Sequence, residues 1–326
     1  MVKTSYDNTK GALGRLFWLL AGVTLLATSC QSESDIQRIE GQAQGTTFHV
    51  TLYDAPVGDW AARIGAWLQA YNREASAWDP ESTLSRYNAG DYDEPTPIFE
   101  HLLAETREIY ALAYPALEPY MGHIIEAWGF GVGDGYLTLS DSAMVDSLMD
   151  LTFTDPMLNV NAYSQGHSVD ILVDSLLAHG VTTAFVEVGG ELRVMGSKPD
   201  GSAWMVGIEQ PTEEKGQSLM AQVPIQLGYA LATSGNYRNY QIDSASGRKY
   251  GHTLNAHTGW PARTDLLSAT MIGPKCVYAD GMATAAMSMG LAATQTWLTE
   301  HPDWDAYLIY SDSTGGYQVW TTLELE

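Results

Sequence analysis

Periodicity changes character about halfway along this chain, and that change limits the folds open to it. From Asp59 to Ala75 the residues Trp60, Ile64, Trp67, Leu68 and Tyr71 recur at helical spacing. Helical patterns return at Pro97–Ala113, Asp141–Met149 and Val169–His179, the last closed by Gly180 as a C-cap. Strand patterns then take over. Ala184–Val188, Gly189-Gly190 and Glu191–Met195 read as a hairpin on a glycine turn, and Trp204–Glu209, Ala221–Ile225 and Leu266–Ile272 read as strands. Two further helices, Tyr278–Leu291 and Gln295–Glu300, precede a closing strand pair at Ala306–Tyr310 and Tyr317–Thr321. The only early strand is Gly45–Tyr53, and Trp78-Asp79-Pro80 breaks the helix that follows it. Without a regular strand–helix–strand alternation, the pattern predicts an α+β fold rather than a doubly wound sheet. No repeat, linker or composition break divides residues 41–326, which are expected to form one domain.

The first 29 residues read as a removable signal. Lys3, Lys10 and Arg15 precede an apolar run, Leu16–Ala27, whose 12 residues are too few to span a bilayer but suit a secretory signal. Leu26-Ala27-Thr28-Ser29-Cys30 resembles a bacterial lipoprotein signal, with Cys30 as the lipidated first residue of the mature chain. Residues 30–40 then serve as a polar tether. The expected location is extracytoplasmic, lipid-anchored to a bacterial membrane, with the periplasmic face favoured. With Cys30 acylated, Cys276 has no partner and is expected to be a small buried residue.

Charge excludes one class of partner. Three of the 16 basic and one of the 39 acidic residues precede Leu16, so the remainder carries 13 against 38, a formal charge of −25. Such a surface repels phosphate backbones, and no basic patch offsets it, so nucleic acid is excluded as an expected partner. Common catalytic signatures are missing too. There is no G-x-x-x-x-G-K-[ST], H-E-x-x-H, paired C-x-x-C or G-x-S-x-G, and Gly129–Gly135 fails G-x-G-x-x-G in every frame. That glycine run reads as a loop after a helix. His252 and His257, five apart, form no clear zinc spacing.

What remains is a series of short clusters: Gly45-Thr46-Thr47-Phe48; Trp78 to Asn88; Ser164-Gln165-Gly166-His167-Ser168-Val169-Asp170 with Val186-Glu187-Val188-Gly189-Gly190-Glu191; and Thr233-Ser234-Gly235-Asn236-Tyr237 with His252 to Gly259 and Ala279-Asp280-Gly281-Met282-Ala283-Thr284. Each alone reads as turn and capping chemistry. In this order they resemble the FAD:protein FMN transferase (ApbE) family, from about Gly45 to Gly290. The resemblance implies a single ApbE-like, T-fold-like α+β domain with mixed sheets and flanking helices. It also implies an exported, often lipidated enzyme that binds FAD and Mg²⁺, moves FMN to a threonine of an acceptor flavoprotein, and releases AMP.

Residue roles follow from the same likeness. Asp280 and Thr284, four apart at a predicted helix start, share a face, and their oxygens suit a hard cation. The resemblance puts Mg²⁺ on them, with backbone oxygens near Ala162 and Val277. His252 has the side chain whose pKa suits proton removal from an acceptor hydroxyl near neutral pH, and the resemblance sets it beside FAD. Trp78 falls where the family stacks an aromatic ring on the flavin. Gln44, Leu117, Glu118, Asn159 and Gln165 align with FAD-lining positions. Leu117-Glu118-Pro119 stands where many relatives have Phe-Asp-Pro, Asn159 where many have aspartate, and Ser164-Gln165-Gly166 where Ala-Lys-Gly is frequent. Asp170 is expected to orient the helix after Gly166. Other readings are an FAD pyrophosphatase, a non-catalytic FAD carrier, and a lipoprotein that binds glycans or partners through its 10 Trp and 18 Tyr.

Overall fold

A computed structural model describes residues 36–92, 94, 96–211, 219–236, 240–244, 246–312 and 316–324. Its centre is an eight-stranded sheet in the order β1-β2-β3-β4-β7-β10-β11-β12. These strands are β1 (Gln37–Ala43), β2 (Thr46–Leu52), β3 (Ala184–Val188), β4 (Glu191–Met195), β7 (Ala230–Gly235), β10 (Leu266–Gly273), β11 (Asp305–Ser311) and β12 (Tyr317–Thr321). Every pairing is antiparallel. Two small hairpins stand outside it: β5 (Trp204–Glu209) with β6 (Leu219–Ile225), and β8 (Tyr240–Ile242) with β9 (Lys249–Gly251).

Alternation along the strands sorts side chains between two faces. Ala184, Val186 and Val188 of β3 turn toward helices α1 (Trp60–Ala75) and α6 (Ser164–Ala178), packing with Leu172, Val173 and Leu176. Their neighbour Phe185 faces the other way, beside Trp204, Ile208 and Val223 of the β5–β6 hairpin. On β11, Ala306 and Leu308 join the helical layer while Tyr307 and Ile309 join the hairpin layer. Helix α7 (Cys276–Met289) lies in the helical layer and is buried along nearly its whole length. Its run of Ala, Gly and Ser lets neighbours come close: a Cβ on Gly281 would sit 2.9 Å from Ile109 of α3 (Pro97–Ala113). A satellite core joins α4 (Gly122–Ala127), α5 (Ser142–Thr154) and Leu254, Ala256 and Trp260.

The α+β architecture is the one the sequence predicts. Several boundaries differ from expectation. Strand β1 begins at Gln37, so the stretch read as tether up to residue 40 contributes to the sheet. Helix α6 starts at Ser164, five residues before the predicted Val169, which places Ser164–Ser168 inside the helix rather than ahead of it. The short helices α2 (Thr83–Asn88) and α4, and strand β7, were not foreseen; α8 (Leu291–Glu300) starts four residues before the predicted Gln295. Cys30 and the apolar run before it lie outside the described residues, as does Tyr237. Among the described residues no helix is long and apolar enough to cross a membrane.

Candidate active site

The sequence clusters converge on one two-lobed cleft. One lobe, of about 320 Å³, is lined by Leu117, Glu118, Asn159, Ala162, Gln165, Glu191, Ser234, His252, Asp280 and Thr284 among others. The second, of about 670 Å³, is lined by Gln44, Tyr71, Trp78, Ser164, Gln165 and His252 among others. Phe130, Asn161, Gln165 and His252 belong to both, so the lobes adjoin.

The floor of the first lobe is built where α6 meets α7. Gly166 has no room for a side chain, because a Cβ there would run into the Cys276 carbonyl and lie 2.8 Å from the Asp280 Cβ. The Gly166 amide instead donates to Asp280 Oδ2 at 2.9 Å. One turn on, the Thr284 hydroxyl lies 3.1 Å from Ser234 Oγ and 3.5 Å from the Ala162 carbonyl oxygen. Asp170 locks the two helices, accepting from the Cys276 and Val277 amides at 3.2 and 2.9 Å and pairing with Arg193 of β4 at 2.7 Å. A carboxylate on the first amides of a helix satisfies donors that the helix itself leaves open. Burial raises the Asp170 carboxyl above its ordinary range, with Arg193 and the two amides opposing. The expected orienting role of Asp170 thus acts on α7 as well as α6.

Two carboxylates share this floor. Asp280 is 7% exposed and Glu191 5%. Burial pushes both upward, and for Glu191 the charge of Asp280 adds to the effect. Glu191 opens β4 directly after the Gly189-Gly190 turn, whose residues have φ of 74° and 116°. The turn is pinned by Glu187, which takes the Gly190 amide at 2.6 Å and pairs with His49 at 2.6 Å. Gln165 lies over it: a Cβ on Gly189 would be 2.9 Å from the Gln165 amide carbon.

Other elements bring in the walls. Asn88 of α2 brackets Leu158, donating to its carbonyl at 2.8 Å and accepting from its amide at 2.9 Å, which fixes Asn159. The Asn159 amide donates to Pro119 O at 2.8 Å and so ties it to Glu118, whose carboxyl burial raises. His252 is set between Gly251, which abuts Asn236, and Thr253, whose hydroxyl donates to Asn236 Oδ1 at 2.9 Å. The His252 ring lies edge-on to Phe130, centroids 6.2 Å apart. His257 is exposed, its amide held by Asn255 Oδ1 at 3.1 Å, and it does not line the cleft, which resolves the histidine pair in favour of His252. Trp78 stands 59% exposed at the rim of the second lobe. Gln44, in that lobe at φ 53°, has a buried Nε2 with no partner. Tyr71 donates to Ser164 O at 2.9 Å and meets His167 Nδ1 at 3.2 Å; burial lowers His167 to about 3, so it is neutral there.

Of the residues the sequence nominates, Gln44, Trp78, Leu117, Glu118, Asn159, Ala162, Gln165, His252, Asp280 and Thr284 all line the cleft. Val277 is the exception: it packs in the core, its amide bonds Asp170, and it is not part of the cleft wall. Glu191 is the residue sequence reasoning passed over as a candidate. Its signal was a carboxylate opening an otherwise largely apolar strand. Among the described residues no three His, Cys, Asp or Glu side chains gather into a metal-binding group.

A cleft with an exposed aromatic rim, polar walls and a floor of buried carboxylate, hydroxyl and carbonyl oxygens is a small-molecule site. The chain belongs to the ApbE family, whose model matches residues 44–308. It is 28% identical over 301 residues to the FAD:protein FMN transferase of Vibrio cholerae, covering 84% of this chain and 87% of that protein. It is 26% identical over 307 residues to the protein of that name from Haemophilus influenzae, covering 83% and 87%. The solved flavinyl transferase ApbE of Pseudomonas stutzeri, in its apo form, superposes with a TM-score of 0.75 at 27% identity, covering 88% of this chain and 94% of that one. The flavin transferase ApbE of Vibrio cholerae gives 0.73 at 25%, covering 88% and 96%.

Proposed function

We propose that this chain transfers FMN from FAD to a threonine of an acceptor flavoprotein, with Mg²⁺ assisting and AMP released. As a member of the ApbE family it is a transferase acting on FAD. The observation that carries the finer reading is the convergence of Trp78, His252 and the Asp280–Thr284 floor on two adjoining lobes. The second lobe suits the isoalloxazine, with Trp78 as the stacking surface and the unpartnered Gln44 Nε2 as a donor toward ring oxygens. The first lobe suits the diphosphate and AMP portion.

The donors fit a hard divalent cation: the Asp280 carboxylate, the Thr284 hydroxyl and the Ala162 carbonyl are all oxygen, and the buried acidic pair has no counter-charge among the described residues. Asp280, Thr284 and the Ala162 carbonyl would hold Mg²⁺, which would supply positive charge to offset that of the diphosphate. In the transfer, the threonine oxygen forms a phosphoester with the FMN phosphorus. The bond from that phosphorus to the bridging oxygen breaks, and AMP leaves with that oxygen. The threonine proton goes to His252, a reading supported by its lining both lobes. Asn236 holds the turn that carries His252. The signal-like sequence ending at Cys30 supports a lipid-anchored, extracytoplasmic enzyme.

The test is to incubate the full chain in detergent with FAD, Mg²⁺ and an acceptor domain bearing a candidate threonine, then measure AMP and protein-bound flavin fluorescence. Equal yields of both support the transfer. AMP with free FMN but no labelled acceptor would replace it with hydrolysis.

A further inference from the structure

The proposed cation site as the sequence suggests it has one carboxylate, Asp280, and counts on Val277, which does not line the cleft. Glu191 does. It comes from a different part of the chain, at the start of β4, and is brought to the α7 floor by the Gly189-Gly190 turn. Its side chain is 5% exposed, and its Oε2 has no hydrogen-bond partner. A second buried carboxylate close enough to repel Asp280 is costly unless something positive lies between them. Among the described residues no cation fills that role: Arg193, the basic residue of β4, is turned to Asp170, and Lys275, just before α7, pairs with Glu105 at 2.6 Å. The Glu191 carboxylate oxygen without a hydrogen-bond partner thus lies in the lobe that the Asp280 carboxylate and the Thr284 hydroxyl also line.

We propose that Glu191 is the second carboxylate of the divalent-cation site, facing Asp280 across the first lobe and completing an oxygen set with Thr284 and the Ala162 carbonyl. This rests on the Mg²⁺ reading above and assigns the cation a ligand from the sheet as well as from α7. It gives the β3–β4 turn a purpose beyond chain reversal. Glu187 holds the turn through the Gly190 amide, and the turn sets the height at which the Glu191 oxygen enters the lobe.

The site can be read directly with Mn²⁺ as the probe, without FAD, by following the free-ion EPR signal during titration of the full chain in detergent. Glu191→Gln, close in shape, should weaken Mn²⁺ binding on the order of 10–100-fold. The same variant should melt at a higher temperature than the parent without metal, because the repulsion is gone, and should gain less on adding Mg²⁺. If Glu191→Gln does not fold, Glu191→Asp replaces it and should bind Mn²⁺ at least threefold (~3×) more weakly than the parent, by loss of reach. Parent-like affinity in the Glu191 variant, with Asp280→Asn losing binding, overturns the assignment of Glu191 and leaves the cation site standing. Parent-like affinity in both variants overturns the cation site itself, and Glu191 with it.

Discussion

Replacing Arg193 by Met should weaken the whole fold and do so in a pH-dependent way. Arg193 gives Asp170 a 2.7 Å ion pair, and Asp170 in turn caps the first turn of α7. Asp170 is 4% exposed and the Arg193 side chain 19% exposed, so the pair is largely withdrawn from water. Removing one partner of a buried pair costs about 3–5 kcal/mol, since the remaining charge is left uncompensated. Here the two amide bonds from Cys276 and Val277 persist, which places the expected loss near the lower end, about 3 kcal/mol. The sign of the pH effect follows from the direction of the shift. Burial already raises Asp170 in the folded protein, and losing Arg193 raises it further above its unfolded value. An acid whose folded pKa is raised costs stability once pH exceeds its unfolded value, about 3.9. The penalty of Arg193→Met should therefore be complete near neutrality and shrink as pH falls from 7 toward 4.5. Urea unfolding of parent and variant at several pH values measures it. A loss under about 1 kcal/mol, or one that does not change over that range, would refute the account of how α7 is held.

Other perturbations probe the cleft itself. Asp280→Asn should remove Mg²⁺-dependent AMP release, and normal release in a folded variant would sink the floor assignment. His252→Ala should slow transfer by about 10²–10⁴-fold with FAD binding largely kept, and a parent-like rate across pH 6–9 would remove its role as base. Trp78→Ala should weaken FAD binding by about 0.5–1.5 kcal/mol and reduce quenching of flavin fluorescence on binding. Gly166→Ala should cost about 1–3 kcal/mol in unfolding experiments, because its Cβ has no room against the Cys276 carbonyl.

How far the sequence carries depends on where each signal is local. The α1 stripe Trp60, Ile64, Leu68 and Tyr71 faces the core as its spacing predicts, and the Gly189-Gly190 hairpin forms as read. Strand β1 is hidden because it is an edge strand with no fully buried residue, and only Ile39 and Ala43 of its seven residues pack against the core. Strand β7, Ala230 to Gly235, is built of small residues that look like a loop until Thr233 pairs hydroxyl to hydroxyl with Thr270 across the ladder. The cleft residues were legible as an ordered set of motifs. Which of them meet was not, because contacts such as Gly166 with Asp280, or Glu191 with the α7 floor, link positions far apart in the chain. Val277 shows the limit most plainly. One residue apart, Cys276 presents its carbonyl to Gly166 while Val277 is committed to the core.

The most direct test of the central claim is a mass measurement on the acceptor after a single turnover. With FAD and Mg²⁺, the acceptor should gain the mass of one phosphoester-linked FMN, located on a threonine by fragmentation, with one AMP formed per acceptor modified. An unmodified acceptor, or AMP produced at the same rate whether or not that threonine is replaced by Ala, would contradict it.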